Sequence, residues 1–215
     1  MDQLDSTTDQ IRAEFEQINT ARDQAYQRSR QLISLCARAI RAIHREEWPK
    51  AESLITEARE ATATLVAGVR DYPNLYHAGY TQDAVKEFVE ANLTYALVRN
   101  RPLPTPAELG TEGNTWLNGL AEAATELRRR ILDIIRHGHS DEAERLLDVM
   151  DQIYSQLVTF DFNDSITGGL RRRTDTVRAV LERTRGDVTN SLRQAQLEDA
   201  LKNVEKQLGE RGKSL

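Results

Sequence analysis

No proline or glycine interrupts this chain before Pro49. From about Asp2 to Glu46 its apolar residues recur at spacings of three and four, with Ile11, Phe15, Ile18, Ala25, Leu32, Cys36, Ala39 and Ile43 as the stripe. Forty-odd residues at about 1.5 Å each make a helix roughly 60 Å long. A compact chain of 215 residues has a radius of gyration of only about 17 Å. Such a helix must bend, break near Asp23 or Arg30, or lean on neighbouring subunits. An oligomer is the economical explanation.

Prolines and glycines punctuate the rest of the chain. Pro49 opens a second helix at a position where a missing N–H does no harm, reaching about Asp71. The loop "DYPNLYHAGYT" precedes a third helix, about Gln82 to Asn100. "RPLPTPAELGTEGN" is the clearest loop, and a fourth helix runs from about Thr115 to Arg136. "HGHSD" turns into a fifth, about Asp141 to Val158, with Ser140 placed as its N-cap. "FDFNDSITGG" precedes a sixth, about Leu170 to Arg185, and "RGD" separates a seventh, about Val188 to Gly209. No segment alternates as a strand does. The expectation is one all-α domain over residues 1–215, a bundle of about seven antiparallel helices with a long first one.

Composition narrows the function. With 29 Lys+Arg against 34 Asp+Glu the net charge is -5, so a nucleic-acid partner would need a local basic patch. The single cysteine, Cys36, forms no internal disulfide and suits a reducing compartment. The acidic, polar start "MDQLDSTTDQ" is unlike a signal peptide, and no apolar run approaches the roughly 18 residues of a membrane span. A soluble, cytoplasmic protein without a membrane partner is expected.

Two helices carry paired carboxylates. Glu87 and Glu90 lie three apart on the third helix, opposite Ala84, Phe88, Ala91 and Tyr95. Glu122 and Glu126 lie four apart on the fourth, away from Leu117, Leu120, Ala121, Ala124, Leu127 and Ile131. Like charges at these spacings repel by a few tenths of a kcal/mol. Periodicity alone puts all four on solvated faces. If the two helices instead aim them at one point, hard oxygen ligands of this kind suit Mg²⁺ or Mn²⁺ and phosphodiester chemistry.

Four stretches resemble the translin family, and within it the nuclease-type subunit, translin-associated factor X and its prokaryotic relatives. They are "RSRQLISLCARAIRAIHR", "KEFVEA", "GLAEAATELRRRILDIIRHGHSDEA" and "FDFNDSITGGLRRRTDTVRAVLERTRGD". The resemblance implies a helical subunit of a hollow octamer and a metal-dependent endoribonuclease preferring single-stranded RNA. "KEFVEA" is similar to the family's E-x-x-E motif, which makes Glu87 and Glu90 ligands of Mg²⁺ or Mn²⁺ and catalytic residues. "GLAEAATEL" is similar to the segment supplying a second acidic pair, Glu122 and Glu126, where Glu122 stands in place of the family's aspartate. An enclosed chamber would let a carboxylate turn from its own helix's core and still face a site.

Other residues are open to two readings. Arg128 and Arg129 lie close enough after Glu126 to reach RNA phosphate, although arginine runs are commonly solvated. Tyr76, His77 and Tyr80 precede the acidic helix and could stack on bases or simply pack their loop. His137 and His139 read as turn residues, and Cys36 as a small core residue. Arg38 and His44 match the loose R-x(4–6)-H spacing of HEPN ribonucleases, but six residues apart they face opposite sides of a helix. The alternatives to a nuclease are a non-catalytic oligomer of the translin type that binds single-stranded RNA or DNA, and a helical scaffold.

Overall fold

The computed structural model describes residues 1–211. Among them there are nine helices and no strand, so the chain is all-α. None of these helices is long and apolar enough to cross a membrane. The residues gather into two compact units, Met1–Leu120 and Ala121–Leu215.

In the first unit α1 (Asp2–His44), α2 (Trp48–Val69) and α4 (Gly79–Val98) pack on one another; the single turn α3 (Pro73–Tyr76) joins α2 to α4, and the single turn α5 (Pro106–Leu109) follows α4. Helix α1 is unbroken: neither Asp23 nor Arg30 ends it. Its stripe does two different things. From Ala25 onward it is buried, with Leu32, Cys36 and Ile43 fully enclosed, whereas Ile11 and Phe15 are exposed. The N-terminal part of the stripe therefore has no cover within this unit.

Helix α4 departs from the sequence expectation. Nearly every residue from Ala84 to Val98 is buried, polar ones included. It packs mainly on α1 and less extensively on α2. The start of α6 (Gly113–Ile135) lies against it too: Thr115 donates to Gln82 at 2.9 Å, and Gly119 abuts Val89. A helix covered on several sides loses its one-sided pattern.

The second unit holds the rest of α6, α7 (Asp141–Leu157), the single turn α8 (Asp164–Thr167) and α9 (Leu170–Arg211). Ser140 caps α7 as expected, its hydroxyl accepting from the Glu142 N–H at 3.2 Å. The expected sixth and seventh helices are one, because "RGD" does not break α9. Glycine inside a helix costs about 1 kcal/mol, and local contacts outweigh it. Thr184 and Val188 are buried, Asp187 pairs with Arg128 at 2.8 Å, and Arg185 pairs with Asp151 at 2.6 Å. Further on, Leu197, Leu201, Val204 and Leu208 form an exposed stripe spaced four, three and four.

Candidate functional site

Glu87 and Glu90 lie side by side on α4, with carboxylate oxygens within 4.8 Å of each other. Their setting differs from the solvated face that periodicity implies. Glu90 is only 7% exposed and Glu87 is half-buried. Lys86, also buried, places its ammonium 3.3 Å from Glu87. Sequence reasoning passed over this lysine, although a cation beside two acids in an apolar helix is a signal. Burying like charges together is costly without positive charge nearby, and one ammonium offsets only part of it.

Cys36 reaches the same region from α1. Its thiol is pushed up to about 12, first by burial and then by the charges of Glu87 and Glu90. It is thus a protonated, enclosed group and no nucleophile. The unfolded thiol ionises near 9, so the folded state binds more protons between that pH and about 12. Stability should be unaffected below pH 9 and fall above it, by up to about 1.4 kcal/mol per pH unit. Denaturation from pH 8 upward should show a slope that Cys36→Ala lacks. Equal slopes would mean that the thiol is neither enclosed nor near the acids.

On α6, Glu122 and Glu126 are half-buried rather than exposed. Glu122 accepts from Arg173 Nε at 3.0 Å, and Arg173 also donates to the Gly168 carbonyl at 3.3 Å. Gly168 and Gly169 have φ of 62° and 82°, left-handed values that suit glycine and turn the chain into α9. The "GGLRRR" segment thereby delivers Arg173 to Glu122. Sequence reasoning left Arg173 in a charge run, because a contact across 51 positions has no local periodic signature.

The other candidates fall into two groups. Arg128 is tied to Thr184 at 3.0 Å and to Asp187, whereas Arg129 is exposed. Tyr80 packs edge-on against Tyr26, with centroids 5.7 Å apart. Tyr76 is half-buried and in edge contact with the exposed His77. Burial first, and then the Glu112 charge, raises the Tyr76 hydroxyl above its ordinary pKa.

No family model matches the chain. It is 29% identical over 189 residues to the uncharacterized protein MJ0175 of Methanocaldococcus jannaschii, covering 87% of this chain and 83% of that one. The fold is that of C3PO helical proteins. AfC3PO in complex with duplex RNA matches with a TM-score of 0.82 and 30% identity, over 89% of this chain and 98% of the other. A second crystal structure of AfC3PO matches at 0.81 and 30%, over 89% and 99%. Apo-NeC3PO, at 20% identity, a TM-score of 0.78 and coverage of 86% and 96%, shares the fold. The chain belongs to the translin/C3PO family.

Proposed function

We propose that this chain is a divalent-metal-dependent endoribonuclease, a single translin-like domain over residues 1–215 that works on single-stranded RNA within a homo-oligomeric shell. The close carboxylate pair on α4, Glu90 buried and Glu87 half-buried, carries the reading. Acids enclosed at such close quarters want a cation, and carboxylate oxygens fit Mg²⁺ or Mn²⁺. Glu122 on α6 is the further ligand in this reading, with Glu126 one turn along the same helix as the fourth carboxylate. The bound ion would polarise a phosphate oxygen and lower the pKa of a water.

The protein's own groups then have distinct tasks. Glu87 and Glu90 hold charge at the site, Lys86 offsets part of it, and Arg173 fixes the orientation of Glu122. Arg129 and His77 present exposed side chains to an RNA strand; Arg128, Tyr76 and Tyr80 are more enclosed contacts. RNA binding carries over from AfC3PO, whose complex contains duplex RNA; single-stranded DNA is a further candidate ligand. Labelled RNA incubated with Mn²⁺ and then with EDTA tests the proposal: cutting that EDTA stops is the expected result. A gel shift without cutting would favour the non-catalytic binder. Single and duplex substrates run side by side should show the flexible strand cut faster, and equal rates would count against an enclosed site.

Assembly rests on two uncovered stripes, Ile11–Phe15 on α1 and Leu197–Leu208 on α9. The second has the spacing of a coiled-coil seam. Octameric mass is expected by light scattering, several times 24.4 kDa. Leu197→Lys with Leu201→Lys should lower it. A wild-type monomer at micromolar concentration would remove the shell.

A further inference from the structure

The chain is acidic overall, yet one end of the first unit gathers arginines around two aromatic rings. Two residues past the ends of α1 and α4 lie Glu46 (φ 58°) and Asn100 (φ 50°), both left-handed without glycine. At each end two successive N–H groups turn back onto the last helical carbonyls. Glu46 donates to Ile43 at 3.0 Å and Glu47 to Ala42 at 3.0 Å; Asn100 donates to Leu97 at 3.3 Å and Arg101 to Ala96 at 2.8 Å. Both ends are Schellman caps. A non-glycine residue in this conformation costs of order 1 kcal/mol, so the chain retains two strained turns here.

Each turn positions the residues just beyond it. The first brings Trp48 to the start of α2, and the second sets Arg99 and Arg101 on either side of Asn100. The Arg99 guanidinium lies 4.7 Å from the Trp48 ring centre, and that of Arg101 lies 5.2 Å from the ring of Tyr95. Trp48 and Tyr95 meet edge to face at 6.5 Å. Tyr95 donates to Glu52, whose carboxylate is 3.7 Å from Arg101. Arg41 and Arg45, one turn apart on α1, are exposed. Among the described residues neither they nor Arg99 form an ion pair. The dipoles of α1 and α4 favour cations at these ends. That accounts for the arginines, but not for an indole left half-exposed beneath one of them.

We infer that this end of the unit is a second RNA-contact surface, separate from the carboxylate site. Arg41, Arg45 and Arg99 take phosphates of a single strand, and Trp48 with its stacked guanidinium offers a platform for a base. Arg101, already shared with Glu52 and Tyr95, holds the platform. The inference rests on the reading that the chain handles RNA, but not on its cutting RNA.

The test is anisotropy of a labelled single strand of about 20 nucleotides, in EDTA so that nothing is cut, over a range of salt. Arg45→Gln with Arg99→Gln should weaken binding about tenfold and reduce the salt slope by about 1.4, two phosphates at about 0.7 each. Trp48→Leu should weaken it about tenfold without changing the slope. Cutting of a hexanucleotide with Mn²⁺ should stay as in the wild type. Unchanged affinity and slope in the double variant would overturn the inference, as would a wild type that binds no RNA. A fall in particle mass in the double variant would overturn it too, by assigning the surface to a contact between copies. A wild type that binds the strand through these residues but never cuts it would leave this surface standing and remove the nuclease.

Discussion

Glu90→Gln should lower RNA cleavage by on the order of 10³-fold while leaving the protein folded and able to bind RNA. The substitution keeps the shape of a side chain that is 7% exposed and removes only its charge. Loss of a charged group aimed at the reacting centre typically costs that much. Stability gives an independent readout. A ligand that binds only the folded state at 100 times its dissociation constant stabilises it by about 2.7 kcal/mol. For a chain of this size each kcal/mol is worth about 2–4 °C of Tm. Mn²⁺ should therefore raise the wild-type Tm by about 5–10 °C, and Glu90→Gln should lose that rise. In EDTA the two proteins should melt within a few degrees of each other, since Glu87 keeps Lys86 partnered. Full activity in Glu90→Gln would end the catalytic assignment; an unchanged Mn²⁺ response would end the metal assignment.

How much the sequence disclosed depends on how local each signal is. The uninterrupted α1, the Ser140 cap and the α4 and α6 helices are written in neighbouring residues, and all are present in the structure. The α9 continuity was hidden, because Gly186 and Asp187 look like a break until Arg128 and the buried Val188 are seen to hold them. The exposure of the acids was misread for a related reason. Periodicity reports one face of one helix, whereas α4 is covered on several. Burial makes the Glu87–Glu90 pair more telling than a solvated pair would be. Arg173 beside Glu122 lay out of reach altogether, since its delivery depends on two left-handed glycines and 51 intervening positions.

Gly119 shows how such a non-local requirement can be tested. A Cβ at this position would lie 2.6 Å from Val89 Cγ1, 2.8 Å from Val89 Cβ and 3.2 Å from the Glu90 nitrogen. Two of those separations are closer than atoms tolerate. Val89 is fully buried and β-branched, so it has no rotamer to retreat into. Gly119→Ala should thus push α6 away from α4. Overpacking of this kind costs about 1–3 kcal/mol, against a gain of up to about 1 kcal/mol from replacing a helical glycine. Because two contacts lie below the tolerated separation the clash wins, and Tm should fall, by up to about 8 °C. Cleavage should fall further than stability suggests. Glu122, a ligand in the proposed function, comes one turn later on the same helix, and a displacement approaching 1 Å at such a group costs about 10²-fold. Val89→Ala in the Gly119→Ala protein removes the Cγ1 contact at 2.6 Å but keeps the Val89 Cβ at 2.8 Å, so it relieves only part of the clash. The double variant should lose less than the sum of the two single losses, a coupling that independent sites would not show. Wild-type melting and cleavage in Gly119→Ala would mean that the two helices do not need this contact. Strictly additive losses would mean that the Val89 Cγ1 contact is not what makes alanine costly at Gly119.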